Sequence, residues 1–294
     1  MPRPSQPRRS ADPPPPGALA ALPYRGRFGD RRPPGLRALI LPPQPMPAWQ
    51  GLRPLKTWRY VGVFSPELML CLASVRIGPA RQSFWAVWDR ATRRLHERTS
   101  LGPAAVALSP GRAHATGAGV TIDLKLAETA GVEAVCPTGA SYAWTRKQGG
   151  IEASGTVTIE GEPRRVDARA VVDDTAAYYE RHTRWRWCAG VGTASDGREL
   201  AWNLVQGVND PDIASERTVW IDGQPTEAAP VSFAEDLSTV DGLRFAPEAV
   251  REQRQNLLLI RSRYRQPFGT FAGELAQVPI ADGYGVMEEH DVWW

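Results

Sequence analysis

The sequence predicts an all-β, antiparallel protein folded as two lobes, with few and short helices. Three observations lead there. Turn-forming residues recur at intervals of roughly 8–12 residues, the runs between them alternate apolar and polar positions, and long helical periods are missing. Such a pattern belongs to antiparallel sandwiches and barrels, and it excludes a parallel sheet, whose crossovers need helices.

The chain opens with a leader, residues 1–48, rich in proline and arginine, including Pro13 to Pro16, Arg31-Arg32-Pro33-Pro34 and Pro42-Pro43. That composition favours extended polyproline conformations over a packed core, so the leader is expected to be poorly ordered. Leu36 to Leu41 is the patch where order would begin. A first β-lobe is expected over residues 49–175. Within it Thr57 to Phe64 and Leu68 to Ile77 read as strands separated by Pro66, followed by Ser83 to Trp88 and a return strand at Arg94 to Arg98. Val120 to Leu126, Val132 to Val135, Ser141 to Trp144 and Gly155 to Ile159 follow. Glu160-Gly161-Glu162 makes a hairpin into Arg165 to Val172.

A second lobe is expected over 176–294. Beyond its tryptophan-rich opening it offers strands at Val231 to Phe233, Leu243 to Phe245, Leu257 to Tyr264 and Thr270 to Leu275. Pro247 to Arg254 is the one helix candidate. The total of roughly fourteen to eighteen strands is too many for one small barrel.

Composition narrows the function. With 294 residues and a net charge of +3, of which the leader supplies more than all, the folded part is near neutral or acidic. That argues against a nucleic-acid partner. Cys71, Cys136 and Cys188 are far apart and form no C-x-x-C, so reduced thiols in a cytoplasmic protein are expected. The four histidines, at 96, 114, 182 and 290, have no metal-ligand spacing, so no metal is expected. No apolar run reaches the ~20 residues of a membrane helix. Arg8-Arg9 is not followed by the apolar region of an export signal. The nucleophile elbow, the phosphate loop and the dinucleotide fingerprint are all missing, and no cofactor is expected.

The stretch from Arg181 to Gly223 concentrates tryptophan, arginine, histidine and asparagine. Strand parity divides its first run into Thr183, Trp185, Trp187, Ala189 and Val191 on one face and His182, Arg184, Arg186 and Cys188 on the other. In the next run Leu200, Trp202 and Leu204 share a face, and Asn203 lies opposite them. Trp220 follows in a third run. A two-residue turn at Asp196-Gly197 would pair the first two runs and give a sheet with a tryptophan-rich side and a side carrying His182, Arg184, Arg186 and Asn203. If the polar side meets a cavity, these groups orient a ligand against aromatic walls; if it meets solvent, it is a charged outer face. The candidate binding residues are therefore His182, Arg184, Trp185, Trp187, Trp202, Asn203 and Trp220. His182 and Glu216 are the candidate proton donors, and the carboxylates that could do acid chemistry are Asp173, Asp174, Glu216, Glu288 and Glu289. A carboxyl in an apolar, tryptophan-lined cavity has a raised pKa and can serve as an acid near neutral pH.

Several motifs carry a family resemblance: K-T-W-R-Y-V-G, R-H-T-R-W-R-W-C-A-G-V-G, A-W-N-L-V-Q-G-V-N-D, E-R-T-V-W-I-D-G and the closing G-Y-G-V-M-E-E-H-D-V-W-W. In this order they resemble the DUF2804 family. That family is distantly similar to tandem lipocalin-like proteins such as hydroxyneurosporene synthase and tocopherol cyclase. The resemblance implies two lipocalin-like lobes and an apolar, lipid- or isoprenoid-like ligand; no catalytic residue carries over. Three readings stand side by side: a binder of an apolar small molecule, a cofactor-independent lyase or isomerase acting on such a ligand, and a structural or interaction protein docked through its leader.

Overall fold

The computed structural model describes residue 14 and residues 17–102, 105–257 and 260–294. The polyproline run Pro13 to Pro16 falls mostly outside the described residues. Strands and turns account for the whole architecture, with two short 3-10 turns at Ala18–Ala21 and Pro34–Ala38. Among the described residues no helix is long and apolar enough to cross a membrane.

In chain order, β1 (Tyr24–Arg27) precedes a two-residue pair, β2 (Trp49–Gln50) and β3 (Arg53–Pro54). A meander follows: β4 (Lys56–Phe64), β5 (Leu68–Ile77), β6 (Ala80–Asp89) and β7 (Arg94–Leu101). Next come β8 (Val106–Ser109), β9 (Arg112–Gly117), β10 (Val120–Leu126), β11 (Val132–Thr138), and the long strands β12 (Ser141–Ile159) and β13 (Glu162–Ala177). All but β2 and β3 form one 11-stranded antiparallel sheet, ordered β7-β6-β5-β4-β13-β12-β10-β9-β8, with β11 and β1 branching from the first half of β12. A second, 8-stranded sheet holds β14 (His182–Ala194), β15 (Glu199–Gln206), β16 (Thr218–Ile221), β17 (Gln224–Glu227), β18 (Thr239–Val240), β19 (Leu243–Leu257), β20 (Ile260–Leu275) and β21 (Val278–Trp293). Its order is β17-β16-β15-β14-β21-β20-β19-β18, and neither sheet closes into a barrel.

The middle strands are buried on both faces, which explains why β4, β5 and β14 read as nearly continuous apolar runs. One face of the first sheet curls onto itself. There Val61, Val63, Leu70, Leu72, Trp85 and Val87 pack against residues of β8 to β10 such as Val106, Ala113, Ile122 and Leu124. Its other face carries Tyr60, Phe64, Met69, Cys71, Phe84 and Trp88 against Trp185, Trp187, Val205, Trp220, Phe268 and Val286 of the second sheet. The second sheet's far face has its own core around Cys188, Leu200, Trp202, Phe245, Phe271 and Met287. Three apolar layers thus stack, and the middle one joins the lobes.

Three expectations are corrected. Residues 17–48 are packed against the first lobe rather than poorly ordered. Leu36, Leu39, Leu41 and Met46 are buried beside Val135, Tyr142, Trp144 and Tyr178, and β1 pairs with β11. Prolines space those apolar residues without diluting them enough to keep them in water. Pro247 to Arg254 is not a helix but part of β19, and Pro247 sits at a bulge where the register with β20 shifts, one of the few places a strand admits proline. In the predicted strand Leu257 to Tyr264 the chain instead reverses, β19 ending as β20 begins; residues 258 and 259 lie outside the described residues. The hairpin at Glu160-Gly161 does form, with φ of 54° and 93° as a type I′ turn requires.

The lobes are in tight contact where Trp220 lies on Gly149, at the β12 bulge. A Cβ on Gly149 would collide with the indole. Gly149→Ala is expected to cost about 1–3 kcal/mol, lowering the melting temperature by roughly 2–10 °C. A calorimetric melt identical to the wild type would refute this tight contact.

Candidate functional site

Between the two sheets the middle layer does not fill completely. It leaves a cavity giving about 120 Å³ to the centre of a water-sized molecule, several times what a single water needs. Its apolar wall is aromatic. Trp58 and Tyr60 of β4 and Phe84 of β6 face Trp185 and Trp187 of β14, Tyr264 of β20 and Trp294 at the chain's end. Trp58 and Trp185 lie parallel at 6.0 Å between centroids, and Tyr60 meets Trp187 edge-on at 5.3 Å. Ile77, Gln82, Gln255 and Ile260 are half-buried lining residues at the hairpin ends, whereas Glu288 and Trp187 are buried within. The opening therefore lies between the β5–β6 turn and the tip of β19–β20, where Gln255 Nε2 donates to Gln82 Oε1 at 3.1 Å.

Two polar clusters interrupt this wall. At one, Glu288 of β21 accepts hydrogen bonds from Trp185 Nε1 (2.8 Å), the Tyr264 hydroxyl (2.9 Å) and Gln266 Nε2 (3.0 Å). Burial pushes its carboxyl up to about 7 against these bonds, with the nearby charge of Asp173 adding to the rise. Glu288 is therefore about half protonated at neutral pH and increasingly protonated below it. Two residues along the same strand face, His290 is held between Trp185, Tyr264 and Trp294, its Nε2 2.7 Å from the Ser262 hydroxyl. Burial drives its pKa down to about 3, so the ring stays neutral.

At the other cluster, Lys147 of β12 lies 2.6 Å from Asp173 and 3.1 Å from Glu216. Asn209 donates to the second oxygen of Glu216 at 3.0 Å, and Trp58 Nε1 donates to Asp173 at 3.2 Å. One ammonium faces two carboxylates. Burial raises the pKa of Glu216, and Asp173 adds to that rise while Lys147 opposes it. Burial alone would lower the Lys147 pKa, but its two carboxylate partners raise it overall. Among the described residues no group of three or more His, Cys, Asp or Glu side chains is placed to hold a metal ion.

The residues singled out from the sequence separate into three groups. Trp185, Trp187 and Glu216 line the cavity. Asn203 and Trp220 are buried just behind it: Asn203 accepts from Trp187 Nε1 at 2.8 Å and donates to the Glu216 carbonyl at 3.1 Å, while Trp220 packs on Gly149. His182, Arg184 and Trp202 are elsewhere. His182 stacks on Trp293 at 4.3 Å and meets Asp291 on the outer face, where Arg184 and Arg186 share Glu289. Trp202 belongs to the second lobe's far core.

The proposed polar face is thus corrected, and the cause is one residue of register. The connection is a three-residue loop, Ser195 to Gly197, with Gly197 at φ 89° and Ala194 N–H bonded to the Arg198 carbonyl, so Asn203 opposes Ala189. A two-residue turn would have set Asn203 opposite Gly190. A slip of one exchanges every side chain between faces; Asn203 joins the tryptophan face and Trp202 leaves it.

His290, Lys147 and Arg251 were not singled out. The signal for His290 was present, because Glu288, His290, Val292 and Trp294 alternate along the last strand and all line the cavity.

Because the folded state binds the Glu288 proton more tightly than the unfolded chain, the stabilisation is complete below the ordinary value of 4.5 and fades as pH rises to about 7. Wild-type stability relative to Glu288→Gln is expected to fall over that interval by an amount on the order of 3 kcal/mol. Chemical denaturation at a series of pH values measures it; a difference constant from pH 4.5 to 8 would contradict the assignment.

No curated protein matches the chain in sequence. Solved structures of similar course include a protein assigned as AttH from Nitrosomonas europaea, with 14% identity, TM-score 0.48, and coverage of 81% of this chain and 92% of that one. Kievitone hydratase from Nectria haematococca shows 11% identity and TM-score 0.48 over 80% and 88% of the two chains. CghA, solved with Sch210972, shows 9% identity and TM-score 0.42 over 92% and 97%. Likeness at this level carries nothing about activity. A family model described as a domain of unknown function, DUF2804, matches residues 105–294, a span that includes all four second-sheet motifs and excludes K-T-W-R-Y-V-G. The chain belongs to the DUF2804 family.

Proposed function

We propose that this protein binds a largely apolar small molecule in the cavity between its sheets, with Glu288 facing the body of the ligand. The observation that carries this reading is the carboxyl of Glu288, buried in an aromatic wall and held by Trp185, Tyr264 and Gln266. A buried acid destabilises a fold wherever it ionises, and this one stands on the wall of the cavity. Concave, mostly apolar sites with a few convergent polar groups are where small molecules bind.

A second reading, that of a lyase or isomerase, is favoured by the protonation state of the same group. A carboxyl with a pKa of about 7 can deliver a proton to an alkene carbon or a carbonyl oxygen and regain one later. His182 has no part in either reading, since it lies on the outer face.

Binding is tested with 2-naphthol, titrated while tryptophan emission is followed. Saturable quenching is expected, because Trp58, Trp185 and Trp187 line the cavity. Val75→Trp, which fills the cavity from β5, should weaken binding at least tenfold while leaving the β-sheet circular dichroism unchanged. Equal affinity in this variant would place the probe elsewhere. For the second reading, a ligand recovered by native mass spectrometry is incubated with the protein in heavy water. Deuterium incorporation that is lost in Glu288→Gln supports catalysis; a ligand returned unlabelled by the wild type supports binding alone.

A further inference from the structure

Among the described residues Arg251 is the cavity-lining cation whose one carboxylate partner, Glu97, is partly exposed. It belongs to β19, opposite Gln266, is 1% exposed, and lines the space between the sheets. Its guanidinium lies over the Phe84 ring at 3.9 Å and over the Tyr264 ring at 5.1 Å. Of its N–H groups, Nη2 donates to the Thr99 hydroxyl at 2.7 Å. Nε is buried without a hydrogen-bond partner among the described residues; the carboxylate of Glu97 stands 3.4 Å away and is 41% exposed, too poorly aligned to accept the bond.

The contrast with Arg217 is informative. That residue is equally buried, yet it donates to the carbonyls of Asp210, Pro211, Asp212 and Ala228. Its fork is filled by the protein, whereas that of Arg251 is not. A buried guanidinium with open donors is costly unless something accepts from it. Lys147, the other cation on the cavity wall, already has two carboxylates.

We infer that Arg251 anchors the ligand through a carboxylate, so that the cavity takes an aromatic or polyunsaturated carboxylic acid. This rests on the cavity being the binding site. The planar fork of a guanidinium matches a carboxylate with two parallel hydrogen bonds, which no lysine or neutral donor reproduces. Phe84 and Tyr264 hold the guanidinium flat, and the conjugated part of such a ligand would continue along the rings of Tyr60 and Trp187. The Tyr264 ring lies beneath Arg251 while its hydroxyl donates to Glu288. Tyr264 therefore touches both anchor and acid, and a ligand held at Arg251 presents its body, not its carboxylate, to Glu288.

The test compares 2-naphthoate with naphthalene, which share a ring system and differ in the charged group, by tryptophan quenching on wild type, Arg251→Met and Arg251→Lys. The wild type is expected to bind naphthoate at least tenfold more tightly. Arg251→Met should lose that preference while still binding naphthalene, and Arg251→Lys should retain only part of it. If Arg251→Met does not fold, Arg251→Lys carries the comparison. Equal wild-type affinity for the two probes, or a preference that survives loss of the guanidinium, would overturn the anchor and leave the cavity reading standing. Failure of both probes to bind the wild type would overturn the cavity reading and the anchor together.

Discussion

A sheet buried on both faces has nowhere to put a charge except inside. That constraint governs this molecule. The central strands β4, β5, β14 and β21 each have one face in the core of their own lobe and the other in the layer between lobes. Polar side chains on the inner faces must therefore find partners in the protein or leave a gap beside them. Most find partners: Asn203 bridges Trp187 and the Glu216 backbone, and Lys147 lies between Asp173 and Glu216. Glu288 and Arg251 find fewer than they can use, and the gap forms around them.

Of the three carboxyl groups lining the cavity, Asp173, Glu216 and Glu288, the two glutamates differ by environment rather than by chemistry. Glu216 has an ammonium 3.1 Å away, while Glu288 has only neutral donors. Dipoles stabilise a carboxylate less than a full opposite charge does, so Glu288 retains its proton up to about pH 7. His290 beside it is a neutral hydrogen-bonding ring, not a base for the acid to exchange with. Separation of one protonatable group from one fixed cation is what a site needs to bind an anionic end and act, if it acts, on the remainder.

Much of the fold was legible from period and turn chemistry. Alternation marked the strands of both lobes, the Glu160-Gly161 hairpin followed from its turn residues, and the inward set Trp185, Trp187, Ala189 and Val191 followed from parity within one strand. What parity cannot supply is register between strands. One residue in the Ser195 to Gly197 loop decided whether Asn203 faced His182 or Trp187, and loop lengths of two and three are both compatible with Asp-Gly. Arg251 was hidden for a different reason: charged and polar residues of β19 around Pro247 mimic a short helix, and only pairing with β20 makes them a strand. Lys147 sits before a bulge, where alternation breaks. The packing of residues 17–48 is not legible from composition, because burial of four scattered apolar side chains outweighs proline content only when a surface exists to receive them.

The central claim is that enclosure between the sheets raises the Glu288 carboxyl to a pKa of about 7, so that it keeps its proton at mildly acidic pH. Infrared difference spectroscopy of wild type against Glu288→Gln observes that proton directly, through the carbonyl stretch of a neutral carboxylic acid. A band present at pH 6 that disappears with a midpoint of about 7, and that the variant lacks, is the predicted result. Identical spectra of the two proteins at pH 6, with no acid carbonyl lost on substitution, would contradict it.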